Sequence, residues 1–317
     1  MRVVVTGAGG FVGNELCKKL LANPSLMGLS ISSLVLVDFK ALPSLQANWV
    51  QWIEGDISTA CVLDAIFANK VDIIFHLASM PGSLAEQEYL GGLQANLLTP
   101  VEIGNRLVSN GKKYNIIPTM VFTSTIAVYG TLPQHSIDDS VPVLPQISYG
   151  THKLMCEHFY YDLSRRGGIK VQTVRLPGIV ARPALGAGFG SAFMSLIFSK
   201  SKNKENYECP VGSQSTAWWM SVKCCVDNLI HASGLAFDAK SPMSWQLPTL
   251  HLSVQEVIWQ INAQLGIQDN LITFQSNEAL EKLFGQYPPM NTQKSLQAGF
   301  SSDNNAQELV QNVLQSL

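Results

Sequence analysis

The sequence has few charged residues and no excess of either sign. Aspartate, glutamate, lysine and arginine make up 14% of the 317 residues, and the net charge is -2 at pH 7. A balanced surface of this kind gives no electrostatic reason to bind nucleic acid. The six cysteines are scattered and form no C-x-x-C pair, so the sequence predicts neither a disulfide framework nor a metal site.

Long apolar runs are also missing. No stretch approaches the roughly 18 apolar residues that would span a bilayer, and the apolar run before Gly7 is too short for a signal peptide. We therefore expect a cytoplasmic protein that contacts no membrane. Hydrophobic residues nevertheless make up 46% of the chain, which is enough for a sizeable core.

Short apolar runs alternate with longer helical patterns through the first half of the chain. Such alternation predicts a parallel sheet with helices on both faces, the doubly wound α/β architecture of Rossmann type. The predicted strands are Arg2–Thr6, Leu34–Asp38, Gln51–Ile53, Val71–His76, Met120–Thr123 and Val171–Leu176. The predicted helices are Val12–Ala22, Thr59–Ala68, Leu84–Asn110, Tyr149–Arg165 and Lys223–Gly234.

A glycine-rich turn follows the first predicted strand. Gly7, Gly10 and Gly13 lie in it, and Phe11 and Val12 open the next helix. The pyrophosphate of a dinucleotide needs a tight turn, close backbone approach and the positive end of a helix, and glycines in this place provide all three. A tight turn without a ligand is the alternative, but the strand before it and the helix after it favour a dinucleotide site.

The ends of the following strands carry further candidate cofactor contacts. Asp38 ends the second strand, where a carboxylate accepts hydrogen bonds from ribose hydroxyls and repels a 2′-phosphate. This position predicts NAD in preference to NADP, with a solvated strand-end aspartate as the alternative. The residues expected to line the adenine and the rest of the cofactor are Asp56, Ile57, Leu77, Ala78 and Ser79.

The alternation of strands and helices stops after about Pro177. We predict a cofactor-binding domain over residues 1–176, to which residues 222–250 return. Residues 177–221 and 251–317 are predicted to form a smaller, discontinuous C-terminal lobe that binds the substrate.

Tyr149 and Lys153 lie four residues apart in a helical pattern, so their side chains share a face. A phenol with a pKa of about 10 is a weak base at neutral pH, and a nearby ammonium lowers that pKa. Tyr149 can then take a proton from a substrate hydroxyl while a hydride passes to nicotinamide, and Lys153 can bond the nicotinamide ribose. Any amphipathic helix can contain this spacing, but Ser124 and Thr125 end the preceding strand with hydroxyls that can orient the reacting oxygen.

Several motifs in this order resemble the extended short-chain dehydrogenase/reductase family, in its NAD-dependent epimerase/dehydratase branch. They are Gly7–Gly13, Asp38, Asp56-Ile57, His76-Leu77-Ala78, Phe122–Gly130 and Tyr149–Lys153. The resemblance implies NAD as cofactor, with Pro177 among its contacts, and Thr125, Tyr149 and Lys153 as catalytic residues. It also implies a homodimer formed through the helices predicted at 84–110 and 149–165.

The residues after the sixth strand bear on the substrate. Family members that bind nucleoside-diphosphate sugars usually carry an asparagine three residues after the arginine that ends this strand. Here Arg175 is followed at that position by Gly178, which speaks against a nucleotide sugar. Five segments instead resemble the D-erythronate dehydrogenase subgroup, which oxidises small acidic polyols with NAD: Arg175–Pro183, Gly190–Phe193, Cys209–Val211, Trp218–Ser221 and Asn228–Ala232.

This second resemblance implies oxidation of the hydroxyl next to the carboxylate of a small sugar acid, which gives a 2-oxo acid. A short hydroxy acid needs a cation, and Arg182 can offer its carboxylate a planar pair of donors. A surface arginine in a proline-containing loop is the alternative for Arg182. The other residues expected at the substrate are Ser79, Ser124, Thr125, Tyr149 and Ser191.

Two other functions fit the same fold. A nucleoside-diphosphate-sugar epimerase reduces NAD transiently and releases no net NADH. A non-catalytic protein that senses its cofactor has no physical need for a base, so the presence of Thr125, Tyr149 and Lys153 argues against it.

Overall fold

The computed structural model describes residues 1–133, 135–183, 191–238 and 241–317. None of the helices in these ranges is long and apolar enough to cross a membrane. The contacts divide the chain into two compact units. The first comprises Met1–Gly130, Val143–Arg175 and Leu229–Trp245, and the second comprises Thr131–Pro142, Leu176–Asn228 and Gln246–Leu317. Residues 131–142, 176, 222–228 and 246–250, which the sequence-based ranges include in the first domain, thus belong to the second unit. The roles assigned to the two domains stay predictions.

The described residues up to Leu176 contain eight strands. They are β1 (Arg2–Thr6), β2 (Ser25–Leu26), β3 (Leu29–Ser30), β4 (Ser33–Asp38), β5 (Val50–Glu54), β6 (Ile73–His76), β7 (Thr119–Thr125) and β8 (Lys170–Leu176). All six predicted strands are present, each with bounds within two residues of the prediction.

Helices lie between these strands. They are α1 (Phe11–Ala22), α2 (Ala60–Phe67), α3 (Gly82–Gln87), α4 (Tyr89–Leu93), a π-helical turn (Gln94–Leu98), α5 (Thr99–Tyr114), a 3₁₀ turn (Ile126–Tyr129) and α6 (Ser148–Arg165).

The main sheet has seven strands in the order β12-β8-β7-β6-β1-β4-β5, in which β12 is Trp245–Gln246. The pairs β1–β4, β1–β6, β4–β5 and β6–β7 are parallel. Strands β4 and β5 therefore lie on one side of β1, and β6, β7 and β8 lie on the other. In such a sheet the chain reverses its direction of growth beside β1, and ligands bind at the carboxyl ends of the strands there. The predicted doubly wound fold is confirmed.

The prediction of a single helix from Leu84 to Asn110 is wrong. The chain leaves helical geometry at Glu88, with φ -112° and ψ 68°, and passes through the π-helical turn before α5 begins. A Cβ atom on Gly92 would lie 2.8 Å from the Cβ of Ala85, so α4 approaches α3 more closely than any other residue at position 92 would allow. Consecutive glycines at 91 and 92 weaken a continuous helix and permit this approach.

The core of the first unit explains why the central strands β1, β4 and β6 are largely apolar. One cluster joins residues from the sheet to residues from helices packed on it, including Val4, Val35, Ile74, Met120, Ile103, Leu107, Cys156 and Tyr160. A parallel sheet covered in this way has no polar face, so the hydrophobic runs lack the alternation of a half-exposed strand.

The second unit contains a smaller sheet and its own core. Its elements, with α8 continuing into the first unit, are β9 (Gly178–Val180), α7 (Phe193–Lys202), β10 (Tyr207–Cys209), β11 (Thr216–Ser221), α8 (Val222–Gly234), β13 (Leu250–Ser253), α9 (Val254–Leu265), β14 (Ile272–Phe274), α10 (Glu278–Phe284), α11 (Gln293–Gln297) and α12 (Ala306–Ser316). Strand β11 pairs antiparallel with β13 and parallel with β9. The core includes Phe198, Trp219, Val257 and Val310.

Candidate active site

The glycine turn between β1 and α1 is shaped by contacts that exclude side chains. Gly7 has a φ of +71°, and a Cβ atom there would lie 2.7 Å from the amide nitrogen of Ala78. A Cβ atom on Gly13 would lie 1.9 Å from the carbonyl oxygen of Gly7. Gly10 precedes α1, which begins with Phe11 and Val12, and no side chain caps this helix start. The turn therefore leaves the positive end of α1 open to an anion with close backbone access.

Asp38 lies directly beside this turn. Its carboxylate accepts the backbone N–H of Gly9 at 2.8 Å and that of Phe39 at 2.7 Å. A Cβ atom on Gly9 would lie 3.2 Å from the Asp38 Oδ2 atom, so glycine at this position permits the close contact. The carboxylate is thus held in place next to the anion-binding turn, which is the position that a ribose contact requires.

The segment after β6 forms the other side of the turn. The backbone N–H of Leu77 donates to the Thr6 carbonyl oxygen at 3.2 Å, and that of Ala78 donates to the Thr6 hydroxyl at 3.3 Å. Ser79 follows and is exposed. Leu77 and Ala78 therefore lie against the end of β1, beside the glycine turn, and Ser79 is the next residue along the chain.

The segment after β5 is organised by its own aspartate. Asp56 is exposed, and its carboxylate accepts the backbone N–H of Ser58 at 2.8 Å. Ile57 is half-buried and packs against the core of the first unit. The contact of this pair with adenine stays a prediction.

Lys153 is buried on α6, with 1% of its surface exposed. Its ammonium donates to the Thr123 carbonyl oxygen at 2.8 Å and lies 4.7 Å from the centre of the Phe122 ring and 5.8 Å from that of Tyr149. Burial lowers the pKa of Lys153 to about 8, although Cys156 and Glu157 act in the opposite direction. A group with this pKa can change its protonation state near physiological pH.

Thr125 ends β7 and is half-buried. Its hydroxyl oxygen accepts the backbone N–H of Ala127 at 3.1 Å, which caps the 3₁₀ turn. A Cβ atom on Gly150 would lie 2.5 Å from the Ala127 carbonyl oxygen, so the first turn of α6 packs tightly on the 3₁₀ turn. Gly150 follows Tyr149 and Ala127 lies two residues after Thr125, so this contact brings the backbone segments of the two predicted catalytic residues together.

Ser124 does not have the environment expected of a substrate contact. It is 2% exposed, and its hydroxyl donates to the Glu157 carboxylate at 2.5 Å. Successive side chains of a strand point to opposite sides, so Ser124 points away from the side that Thr125 presents. We therefore correct its assignment as a substrate contact.

His76 is completely buried at the end of β6. Its Nδ1 atom lies 2.7 Å from the Thr6 hydroxyl, and its ring stacks on Phe122 with 5.9 Å between the ring centres. Burial, with the charge of Lys153, lowers the pKa of His76 to about 3. The imidazole is consequently neutral at physiological pH, and it adds no positive charge beside Lys153.

The remaining predicted site residues belong to the second unit. Pro177 is buried, while Arg182 and Ser191 are exposed. The backbone N–H of Arg182 donates to the Ser195 hydroxyl at 3.0 Å. Gly190, which begins one of the segments used in the subgroup resemblance, lies outside the described residues. No group of three or more potential metal ligands occurs among the residues that the structure describes.

The sequence interpretation missed a buried pair behind Lys153. Glu157 lies four residues beyond Lys153 on α6, and Arg175 binds it through two nitrogen atoms, with distances of 3.0 and 2.7 Å. Arg175 was used only as a marker of the strand end. Glu157 continues the four-residue spacing of Tyr149 and Lys153, and this spacing is the sequence signal that could have identified it.

The doubly wound sheet, the glycine turn after β1 and the buried Lys153 next to Tyr149 on α6 are the features with which known proteins can be compared. A model of the NAD dependent epimerase/dehydratase family matches residues 3–232. The chain belongs to this family, its cofactor is NAD, and it is an oxidoreductase.

Two relatives match the chain along nearly its whole length. The D-erythronate dehydrogenase of Haemophilus influenzae is 32% identical over 321 aligned positions, covering 99% of this chain and 99% of that protein. The D-erythronate dehydrogenase of Cupriavidus necator is 28% identical and covers 98% and 97%. Among solved structures, the nucleoside-diphosphate-sugar epimerase from Agrobacterium tumefaciens has a TM-score of 0.90 and 27% identity, covering 98% of this chain and 92% of that one.

Proposed function

We propose that this protein oxidises the hydroxyl next to the carboxylate of a small sugar acid resembling D-erythronate, with a 2-oxo acid as the product. The observation that supports this most directly is the buried Lys153 ammonium beside Tyr149, in a chain that aligns end to end with two D-erythronate dehydrogenases. The pair provides a base, and the full-length similarity points to the substrate class.

The residues of the turn fit NAD as the structure has them. Cβ atoms at Gly7, Gly10 and Gly13 would each approach backbone atoms closely, so the three glycines allow a tight turn, and no side chain caps the start of α1 at Phe11 and Val12. In our proposal these residues hold the pyrophosphate, and Asp38 holds the adenosine ribose. When bound, NAD supplies a two-electron acceptor for the hydride of the carbon being oxidised.

Further contacts to the cofactor complete its proposed site. In the proposal Asp56 and Ile57 contact the adenine. Leu77, Ala78 and Ser79 contact the rest of the cofactor near the end of β1. Lys153 and Tyr149 bond the nicotinamide ribose, and Pro177 borders the nicotinamide end.

Tyr149 is the proposed general base. The positive charge of Lys153 favours the phenolate, because an ammonium nearby lowers the pKa of a phenol. Tyr149 takes the proton of the substrate hydroxyl as the C–H hydride leaves, and the C–O bond becomes a carbonyl. Thr125 orients the reacting oxygen through its hydroxyl. The atoms balance as one hydroxy acid and NAD⁺ giving one 2-oxo acid, NADH and a proton.

Recognition of the acid requires a cation and partners for its hydroxyls. Arg182 is the proposed carboxylate contact, since its guanidinium offers two parallel donors. Ser79 and Ser191 are exposed and have hydroxyls suited to a polyol. Thr125 and Tyr149 are the other proposed contacts of the substrate.

The Agrobacterium structure keeps a nucleoside-diphosphate-sugar epimerase as the second candidate, because its 27% identity and TM-score of 0.90 extend over nearly the whole chain. The surroundings of Gly178 favour the sugar acid. A Cβ atom at this position would lie 2.6 Å from the Met194 methyl carbon and 2.7 Å from the Trp218 carbonyl oxygen. An asparagine would therefore not fit at the position where nucleotide-sugar enzymes of the family usually have one.

We also propose that the protein is a homodimer. Large apolar side chains are exposed along α4, the π-helical turn and α6, namely Leu90 (75%), Leu98 (48%) and Met155 (50%). Exposed apolar patches of this kind often mark an interface between protein chains. Sedimentation equilibrium tests the proposal, because Leu98→Glu should shift a dimer to monomers.

The function is tested by NADH release from a panel of four- to six-carbon sugar acids, beginning with D-erythronate, alongside UDP-glucose. A dehydrogenase accumulates NADH with a sugar acid. An epimerase converts the nucleotide sugar, as product analysis would reveal, without accumulating NADH. Tyr149→Phe should lower turnover by about 10²–10⁴-fold, the range for loss of a general base, while NAD binding weakens only slightly because the other proposed cofactor contacts remain. If Tyr149→Phe retained full turnover, the proposed mechanism would be wrong.

A further inference from the structure

Four polar side chains form a buried cluster behind the proposed catalytic residues. They are Ser124, Tyr129, Glu157 and Arg175, and we call them the Glu157 cluster. We propose that Glu157, held by Arg175, is a positioning residue that fixes Thr125 at the end of β7 relative to Tyr149 and Lys153 on α6. This inference rests on the catalytic roles proposed above for those three residues.

The cluster is shielded from solvent, and hydrogen bonds join all four of its side chains. Glu157 is 0% exposed and Arg175 is 8% exposed. The Glu157 Oε1 atom accepts from the Ser124 hydroxyl at 2.5 Å and from Arg175 Nε at 3.0 Å, and Oε2 accepts from Arg175 Nη2 at 2.7 Å. Arg175 Nη1 donates to the Tyr129 hydroxyl at 3.2 Å, and the guanidinium lies 5.1 Å from the centre of the Tyr129 ring.

The cluster holds the chain on both sides of Thr125. Ser124 immediately precedes Thr125, and Tyr129 ends the 3₁₀ turn that follows it. Both are joined through Arg175 and Glu157 to α6, where Glu157 lies on the face that Tyr149 and Lys153 share. The Thr123 carbonyl is held separately by Lys153. Three groups on either side of Thr125, the Thr123 carbonyl and the Ser124 and Tyr129 hydroxyls, are thus connected to one helix.

Stability alone does not account for this arrangement. Burying an ion pair removes two charges from water, and well-packed apolar residues often stabilise a core equally well. A charged, hydrogen-bonded pair differs in that it accepts only one geometry, so it specifies the position of its partners. A catalytic hydroxyl whose neighbours are held in this way keeps its alignment with the base.

Glu157 also acts on Lys153 through its charge. Burial disfavours the Lys153 ammonium, and Glu157 opposes this effect and supports its protonated form. The other titratable groups around Lys153 are Tyr149 and Cys156 on α6, His76 on β6, and Arg175 behind Glu157. Burial raises the pKa of Cys156 to about 12, and His76 has its pKa lowered to about 3, so both are neutral at pH 7. Among these groups Glu157 is the carboxylate that acts on Lys153, and it also pairs with Arg175.

The test separates position from charge with three substitutions in the cluster. Ser124→Ala removes the link to β7 and leaves the ion pair intact, whereas Ser124→Thr keeps a hydroxyl. Glu157→Gln removes the charge and keeps the shape. Asp162→Asn is the control, because it breaks the exposed pair with Arg165 on the same helix. Each variant is assayed for kcat, KM, NAD dissociation constant, melting temperature and the pH dependence of kcat, with the fastest substrate of the panel above.

We expect Ser124→Ala to lower kcat about tenfold while the dissociation constant of NAD stays within about twofold, because misalignment of a catalytic group slows the chemical step. Ser124→Thr should recover most of the rate. Glu157→Gln should in addition move the basic limb of the pH profile to lower pH, since less charge then supports the Lys153 ammonium. Asp162→Asn should leave all of these values unchanged.

Two outcomes would overturn the inference. In one, Ser124→Ala keeps the wild-type kcat. In the other, the cluster variants lower only the melting temperature, and the rate per folded molecule and its pH profile are those of the wild type. If Glu157→Gln does not fold, the two Ser124 variants decide the question. Failure of the proposed function is distinguished by Tyr149→Phe, which leaves the cluster unchanged and addresses the base alone.

Discussion

The ammonium of Lys153 lies 5.8 Å from the centre of the Tyr149 ring, one helical turn further along α6, and almost no solvent reaches it. At this distance, in a buried site, a positive charge is screened little by water. The electrostatic influence of Lys153 on the phenol therefore depends on the protonation of one side chain whose pKa is lowered to about 8.

The first prediction concerns the pH dependence of catalysis. In the proposed mechanism activity depends on the Lys153 ammonium, so kcat should fall as the pH rises through about 8, where this group loses its proton. Lys153→Met should abolish that basic limb together with most of the turnover. Stopped-flow measurements of NADH formation between pH 6 and pH 10 provide the profile. A basic limb that persisted in the methionine variant would assign the titration to another group.

The same pKa predicts an effect on stability. The folded protein binds this proton less tightly than the unfolded chain, whose lysine has a pKa near 10.5. The contribution of Lys153 to stability is therefore fully present above about pH 10.5 and is lost as the pH falls through about 8. Lys153→Met should raise the melting temperature at pH 7, and the gain should shrink at pH 9 to 10. A gain that is independent of pH would contradict this linkage.

Gly13→Ala should damage the cofactor turn. The new methyl group would lie 1.9 Å from the Gly7 carbonyl oxygen, so the turn must open, and we expect NAD affinity to fall by about tenfold or more. Fluorescence titration with NADH measures the effect. Gly212→Ala is the matched control, since its methyl group meets nothing closer than 3.4 Å. Equal NAD affinity in the two variants would remove the turn from the cofactor site.

If Gly13→Ala does not fold, Gly10→Ala provides a milder test of the same turn. Its methyl group would lie 3.2 Å from the Gly7 carbonyl oxygen, which a small shift can relieve. A smaller loss of affinity is expected than for Gly13→Ala.

Asp38→Ala should change the choice between NAD and NADP. The carboxylate is fixed by two backbone N–H groups, and its loss removes both the ribose contact and the repulsion of a 2′-phosphate. We expect kcat/KM for NAD to fall about tenfold or more and the preference over NADP to narrow, because a lost charged hydrogen bond typically costs about 1.5–3 kcal/mol. Asp269→Ala, on the surface of the second unit, is the control. An unchanged preference for NAD over NADP would show that a residue other than Asp38 contacts the adenosine ribose.

Arg182→Gln should affect the substrate and spare the cofactor. Loss of a bidentate contact to a carboxylate is expected to raise KM for the sugar acid about tenfold or more, with the NAD dissociation constant unchanged. Arg182→Lys should recover part of the affinity, because it keeps the charge without the planar pair of donors. Arg165→Gln removes an exposed arginine from α6 and provides the control. If all three variants had the same KM, Arg182 would be a surface residue of its loop.

Structural features that depend only on a few neighbouring residues could be predicted from the sequence. The glycine turn, the strand-end aspartate and the four-residue spacing of Tyr149 and Lys153 each follow from local geometry, and the buried strands follow from their uninterrupted hydrophobic runs. The doubly wound order followed as well, because alternating strands and helices permit few topologies. These patterns were sufficient for the fold, the cofactor and the family.

Contacts between distant segments were decided only by the tertiary structure. Ser124 and Glu157 are 33 residues apart and Glu157 and Arg175 are 18 apart, and no local pattern states that these side chains meet. The helix predicted from Leu84 is interrupted at Glu88, and Gly92 packs closely against Ala85 after the break, a contact that helical periodicity does not reveal. Local propensity determines which element a segment forms, whereas packing determines which buried polar groups become partners, and only the folded chain brings those groups together.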